Sequence, residues 1–286
     1  MRTAFNVENL RFKYPTSKAE TIKGITFDVY EGEIFGFLGP SGAGKSTTQK
    51  IMIKLLEDYS GSIKYFGNDL ISIGKSFYEE VGVGFEMPVH FSKMTAIENM
   101  KYFSRFYKNT ADIQELMERV GLWEDRNIKV GEYSKGMKVR LNFVRAMLNN
   151  PRVLFLDEVT NGLDPTNARI IKDIISEYRD QGGTVFLSTH LMNDVEQLCD
   201  RIAFCVDGEL HEISTPRDLK LKYGKREVKV EYRENGATTS ALFPLEGIGM
   251  NNQFQAILKN KEIETIHSGE TSMEDIFIIM TGVDLK

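Results

Sequence analysis

Between an apolar run, Ile34 to Leu38 (IFGFL), and a helical stretch, TTQKIMIKLL, the chain reads GPSGAGKS from Gly39 to Ser46. Strand, glycine loop and helix in that order are what is needed to wrap backbone N–H groups around a phosphate. The glycines let consecutive amides turn inward, and the helix start adds the positive end of its dipole. Lys45 then stands in reach of the β and γ phosphates and Ser46 can ligate Mg²⁺. Gly39, Pro40, Ser41, Gly42, Ala43, Gly44, Lys45, Ser46 and the adjoining Thr47 are the expected nucleotide-binding residues.

The rest of the pattern fits the fold that such a loop requires. VLFLDE (Val153 to Glu158) and TVFLST (Thr184 to Thr189) are near-continuous apolar runs like IFGFL, each followed by turn residues or a helical pattern. Such runs suit parallel strands covered on both faces. Between Ser92 and Asn150 the signal becomes helical: Met137, Leu141, Val144 and Leu148 form one apolar face of a helix that stops before Pro151. A helical insertion inside an α/β core is expected. Beyond Pro216 the character changes. Val228, Val230 and Tyr232 alternate with charged residues, and Asn235-Gly236 signals a hairpin turn. A short helix near Asn252 to Leu258, a strand near Glu262 to Ile266 and a last amphipathic segment opened by Ser272 complete a small α+β appendage.

Asp157 and Glu158 fall at the carboxyl end of the VLFL run, the edge of a parallel sheet where ligands bind. Adjacent acids on a strand point opposite ways, so they are free for separate tasks. Asp157 is expected to hold Mg²⁺ through its water shell and Glu158 to polarise the attacking water. An Asp-Glu pair alone would be an ordinary strand end; the phosphate loop earlier in the chain gives it chemical meaning.

The strip from GPSGAGKST through EYSKGMKVRL and VLFLDEVTNGLDP to LSTH resembles the nucleotide-binding subunit of an ATP-binding cassette (ABC) transporter, over about Phe5 to Ser214. The resemblance implies a P-loop NTPase core of the α/β class, its RecA-like lobe (about 1–86 and 151–214) bearing an N-terminal antiparallel β element. It places the helical lobe at about 87–150, and the change of pattern beyond Pro216 sets the α+β extension at 215–286. Tyr14 matches the aromatic that stacks on adenine. Ser134 and Gly136 match the family signature, normally LSGGQ, which binds the γ-phosphate of ATP held by a partner subunit, while Tyr133, Lys135 and Met137 depart from its commonest form. Asp164, in GLD, matches the loop facing the partner's site, and His190 the switch histidine on the γ-phosphate. Glu86 occupies the position of a family Gln that reaches Mg²⁺ and the attacking water. It either keeps the metal contact as an anion or leaves the loop with mechanical coupling only.

The same resemblance implies an ATPase that binds ATP and Mg²⁺ and dimerises around two nucleotides, with itself or with a related cassette. It would drive permease subunits on separate chains from the cytoplasmic face of the membrane. The ending SMEDIFIIMTG resembles the extension of cassettes that serve drug, antibiotic or polysaccharide export. The alternatives are a soluble cassette ATPase acting without a permease and a regulatory module that binds nucleotide without hydrolysing it. Glu158 and His190 together oppose the second. Soluble cassettes acting on chromosomes or ribosomes carry long coiled coils or tandem cassettes, which this pattern lacks.

Composition narrows the partners further. With 36 Lys and Arg against 41 Asp and Glu, the net charge is −5, opposite to what a phosphate-backbone binder needs, so nucleic acid is not an expected partner. No apolar run nears the roughly 18 residues that span a bilayer, and the start, MRTAFNVENL, does not read as a secretory signal. Cys199 and Cys205 lack metal or disulfide spacing and are expected to be buried thiols of a reducing compartment.

Overall fold

The computed structural model describes residues 2–87, 89–224, 226–234, 236–269 and 271–282, so the turn expected at Asn235 lies outside the described residues. The chain divides into two compact units that meet in sequence at Pro216 and Arg217.

The first unit opens with two long strands, β1 (Thr3–Phe12) and β2 (Ile22–Tyr30), whose alternating burial marks a sheet with one covered face. β3 (Ile34–Leu38) follows, buried at every position, and then the phosphate loop and α1 (Lys45–Met52). β4 (Ser60–Tyr65) and β5 (Asn68–Asp69) return to the first sheet. Next come α2 (Phe77–Glu80), β6 (Val81–Gly84) and the helical lobe: α3 (Ala96–Ser104), α4 (Ile113–Arg119) and α5 (Lys135–Met147). The chain re-enters the core as β7 (Val153–Asp157), α6 (Pro165–Asp180), β8 (Thr184–Thr189), α7 (Met192–Leu198), β9 (Arg201–Val206) and β10 (Glu209–Ser214).

Two sheets result. The antiparallel one has the order β2-β1-β4-β5 and the larger one β10-β9-β3-β8-β7-β6, parallel except for the β9–β10 edge. The sheets share an aromatic core. Phe5 meets Phe155 edge-on at 5.5 Å, and Phe27 stacks on Phe35 at 5.6 Å. Burying these rings removes about 150 Å² or more of apolar surface each, at about 25 cal/mol per Å². The core therefore holds the carboxyl ends of β3, β7 and β8 rigidly side by side, and the functional loops leave from those ends.

The second unit begins with α8 (Pro216–Tyr223), a helix absent from the sequence reading. Its segment, PRDLKLKY, buries only Leu219 and shows no broad apolar stripe, though Pro216 is well placed at a helix start. A three-stranded antiparallel sheet, β12-β11-β13, is built from β11 (Glu227–Glu234), β12 (Ala237–Pro244) and β13 (Glu262–Gly269). Between the last two lies α9 (Asn252–Asn260), and α10 (Met273–Thr281) follows β13. Val228, Val230, Tyr232 and Phe243 form its small core with Phe254 and Ile257 of α9. Ser272 caps α10 by accepting from the Asp275 amide at 3.1 Å.

Candidate nucleotide-hydrolysing site

The phosphate loop has the backbone its glycines allow. Gly42 and Gly44 sit at φ +84° and +105°, where a side chain would be strained. A Cβ on Gly39 would stand 2.0 Å from the Cys205 carbonyl oxygen, so only glycine fits where β3 and β9 end together. Lys45 is 8% exposed, and its ammonium donates to the Gly39 and Pro40 carbonyls at 2.7 and 3.1 Å, folded back along the loop. The loop opens on a cavity of about 260 Å³ lined by Thr21, Ser41, Gly42, Gly44, Lys45, Ser46, Thr47, Glu86, Asp157, Glu158 and His190. Gly39, Pro40 and Ala43 form the loop behind it. Tyr14 does not line the cavity, but its hydroxyl lies 3.2 Å from Thr47 Oγ1, which ties the ring to the start of α1.

The two carboxylates are separated by a break in the backbone as well as by strand alternation. Asp157 ends β7 and accepts from Ser188 Oγ at 2.5 Å; Gln49 Oε1 of α1 is 3.0 Å from the same hydroxyl. Glu158 has left the strand with φ +50°, a conformation that costs a non-glycine residue about 1–2 kcal/mol and persists only where neighbours impose it. Those neighbours belong to the end of β8 and the residue after it. The Glu158 amide donates to the Ser188 carbonyl at 2.9 Å, Thr189 Oγ1 donates to Glu158 Oε2 at 3.1 Å, and His190 Nδ1 is 2.7 Å from Glu158 Oε1. One carboxylate is thus aimed into the cavity by three consecutive residues of LSTH.

Glu86, Asp157 and Glu158 place three acids in the cavity against Lys45. Like charges about 5 Å apart repel by about 3 kcal/mol at an effective dielectric near 20, so a polyphosphate needs a cation to enter beside them. No cluster of three or more metal-binding side chains occurs among the described residues. Mg²⁺ is held by one or two carboxylates together with substrate phosphates and water. Ser46, Asp157 and Glu86 all face the cavity and fit that role.

Ser134, Gly136 and Asp164 gather elsewhere. Ser134 caps α5, accepting from the Met137 amide at 3.2 Å, and a Cβ on Gly136 would be 3.5 Å from Leu163. Lys135 lies across Gly162, at φ +79°, whose added Cβ would meet the lysine's Cε and Nζ at 2.8 Å. Asp164 caps α6 through the Thr166 and Asn167 amides at 3.1 and 3.0 Å. The Asn167 side chain, with these amides, holds its carboxyl below the usual range. The signature and the GLD loop form one patch, and none of these three residues lines the phosphate cavity.

Glu86 lies in the strip joining β6 to the helical lobe, and one face of α5 holds that strip. Asn142 Nδ2 donates to the Phe85 carbonyl at 2.8 Å, Arg145 Nη1 donates to that of Val89 at 2.5 Å, and His90 Nε2 is 3.3 Å from the Lys138 carbonyl. A groove of about 520 Å³ runs beside the strip, lined largely by Phe85, Met87, Val89, Phe91, Phe103, Tyr107 and Arg145. Met87, Val89 and Phe106 are exposed apolar side chains of this region. Both cysteines are buried, and burial pushes the Cys205 thiol up to about 12.

The sequence reading missed Thr21, Gln49, Ser188 and Thr189. The last two had a signal, since two hydroxyls end an otherwise apolar strand directly before His190. Thr21 and Gln49 reach the site only by tertiary packing.

A family model described as ABC transporter matches residues 22–161, and one described as the fluoroquinolone efflux ABC transporter C-terminal domain matches residues 226–270. A fluoroquinolones export ATP-binding protein of Mycobacterium tuberculosis is 46% identical over 281 residues, 98% of this chain and 93% of that protein. The bacitracin transport ATP-binding protein of Bacillus licheniformis is 35% identical over 217 residues, 74% of this chain and 70% of its own length. A solved ATP-binding subunit of an ABC transporter superposes with a TM-score of 0.70 at 27% identity, covering 78% of this chain and 94% of that one. With the phosphate loop, the carboxylates and the signature in the order and geometry described, this chain belongs to the ABC transporter family as an ATP-binding, ATP-hydrolysing subunit.

Proposed function

We propose that two copies of the chain, or one copy and a related cassette, close around two Mg²⁺-ATP. In this reading each phosphate cavity faces the signature patch of the other subunit. The observation that carries it is the separation of Ser134, Gly136 and Asp164 from the cavity that holds Lys45 and Glu158. Tyr14 stacks on adenine, the loop from Gly39 to Thr47 cradles the phosphates, and Ser46, Asp157 and Glu86 hold the metal. Mg²⁺ held by these residues would offset the charge of the phosphate oxygens against the acids around them. Glu158 accepts the proton of the attacking water, and His190, 2.7 Å from its carboxylate, contacts the γ-phosphate and fixes the carboxylate's direction.

Closure does mechanical work on permease subunits carried by other chains, which dock in the apolar groove beside Glu86. This subunit then lies at the cytoplasmic face of the membrane. No helix among the described residues is long and apolar enough to cross a membrane. The cargo is an amphipathic antibiotic of the fluoroquinolone kind, a reading supported by the relatives and by the C-terminal match at residues 226–270. The test is accumulation of a fluoroquinolone in cells carrying the permease with wild-type chain, Glu158→Gln chain or none. Lower accumulation with the wild type alone is expected; equal accumulation in all three rejects the cargo.

A further inference from the structure

Asp194 is a buried carboxylate to which the hydrolytic scheme gives no task. It lies in the first turn of α7, four residues after His190, and is 6% exposed. A charge withdrawn from water is costly unless it is paired and hydrogen-bonded. Both of its oxygens are engaged. Oδ2 accepts from Thr160 Oγ1, and Oδ1 is 3.3 Å from the ammonium of Lys172 on α6. Lys172 also donates to Gln197 Oε1 at 2.5 Å, which fixes it along α7.

These partners sit where they bear on the site. Thr160 is itself 6% exposed and lies two residues beyond Glu158, inside the turn that the Asn161 amide closes onto the Glu158 carbonyl at 3.0 Å. The Thr160 carbonyl accepts from the Leu163 amide at 3.1 Å, leading into the GLD loop. On the other side, the Asp194 amide donates to the Leu191 carbonyl at 3.1 Å, and the Leu191 amide donates to Thr189 Oγ1 at 3.0 Å. Thr189 Oγ1 is the hydroxyl bonded to Glu158. A closed circuit therefore runs from Glu158 through Thr160, Asp194, Leu191 and Thr189 back to Glu158. It spans the one non-glycine backbone position of the cavity that lies at positive φ.

We propose that Asp194 is a positioning residue for hydrolysis: by clamping Thr160 and Lys172 it holds the turn that keeps Glu158 in its left-handed backbone and in register with His190. The proposal rests on Glu158 acting on the attacking water. Releasing the clamp lets the carboxylate relax out of place, and a misplacement of about 1 Å costs a rate on the order of 100-fold. ATP binding depends on the phosphate loop, which the circuit does not include.

The test uses the full chain with Mg²⁺-ATP, following kcat together with the nucleotide Kd measured without turnover. Thr160→Val keeps the shape of the side chain and removes only the hydroxyl; Asp194→Asn removes the charge. Each is expected to lower kcat roughly 10- to 100-fold while Kd stays within about threefold, and Thr160→Ser is expected to restore kcat to within about threefold. Combined with Glu158→Gln, Thr160→Val should add no further loss, because both act through one group. The proposal is overturned if kcat stays within about twofold in both variants, if Kd rises in step with the fall in kcat, if Ser fares no better than Val, or if the losses multiply. A Glu158→Gln chain hydrolysing at the wild-type rate removes the underlying reading of Glu158 and this proposal with it; a wild-type rate in Thr160→Val alone removes only this proposal.

Discussion

Acidification should loosen the lobe junction through one residue, His90. Its Nε2 lies 3.3 Å from the Lys138 carbonyl, while Nδ1 is buried with no hydrogen-bond partner. The ring is therefore neutral, with Nε2–H donating. A second proton would place an N–H where nothing accepts it, beside the cations of Arg145 and Lys138. Burial first, and the Arg145 charge next, lower its pKa from 6.5 to about 4. The unfolded state then binds a proton more readily between those values, so stability falls as pH drops through 6.5 and the loss is complete below about 4. From pH 7 to pH 5 the loss is about 2 kcal/mol, or roughly 30-fold in the folded-to-unfolded ratio. The chain has a single tryptophan, Trp123, which lies in the helical lobe under the Arg126 guanidinium at 4.3 Å. Its fluorescence reports unfolding of that lobe in urea. His90→Gln keeps a donor for the Lys138 carbonyl without a titrating group and should flatten the pH dependence by that amount. Parallel profiles for the two proteins would mean that His90 does not set the pH dependence.

Three other outcomes are expected from particular contacts. Gly39→Ala should destabilise the chain by about 1–3 kcal/mol and raise the ATP Kd more than about tenfold, because the added carbon meets the Cys205 carbonyl at 2.0 Å; titration with a fluorescent nucleotide reads this. Glu86→Gln removes one of the cavity's three acids and should weaken the dependence of turnover on Mg²⁺, with ATP affinity within about threefold. ATPase rates over a series of Mg²⁺ concentrations that superimpose on the wild type would deny Glu86 a metal role. A chain truncated after Pro216 should retain Mg²⁺-dependent ATP binding, since every residue assigned to the phosphates lies before that point; a folded truncation that fails to bind would refute it.

The parts of this molecule that can be read from sequence are those fixed by local chemistry. β3, β7 and β8 show as unbroken apolar runs because both faces of a parallel sheet are covered. Ser134 and Ser272 reveal two helix starts because the caps lie within three residues of their donors. What escaped depends on distant residues or on backbone states that leave no mark. Gln49 reaches Ser188 across 139 positions, and Asn142 holds Phe85 across 57. The positive φ of Glu158 has no glycine to announce it, because the bonds from Ser188, Thr189 and His190 impose it. The helix α8 was hidden by a segment with a single buried residue. Even so, ten of the cavity's lining residues were named from motifs alone, because a phosphate loop and its carboxylates need fixed residue types at fixed places.

Hydrolysis in this scheme needs two chains, since Ser134 and Gly136 do not reach the cavity holding Lys45 and Glu158. Glu158→Gln tests it most directly. An amide in place of the carboxylate keeps hydrogen-bonding groups for Thr189 and His190 but abolishes proton acceptance, which should slow hydrolysis by about 10²- to 10⁴-fold. The nucleotide-bound state should then persist long enough for sedimentation velocity. A dimer is expected with Mg²⁺-ATP, and a monomer without nucleotide or with Lys45→Ala added. A monomer at saturating Mg²⁺-ATP, in a Glu158→Gln chain shown to bind the nucleotide, would contradict it.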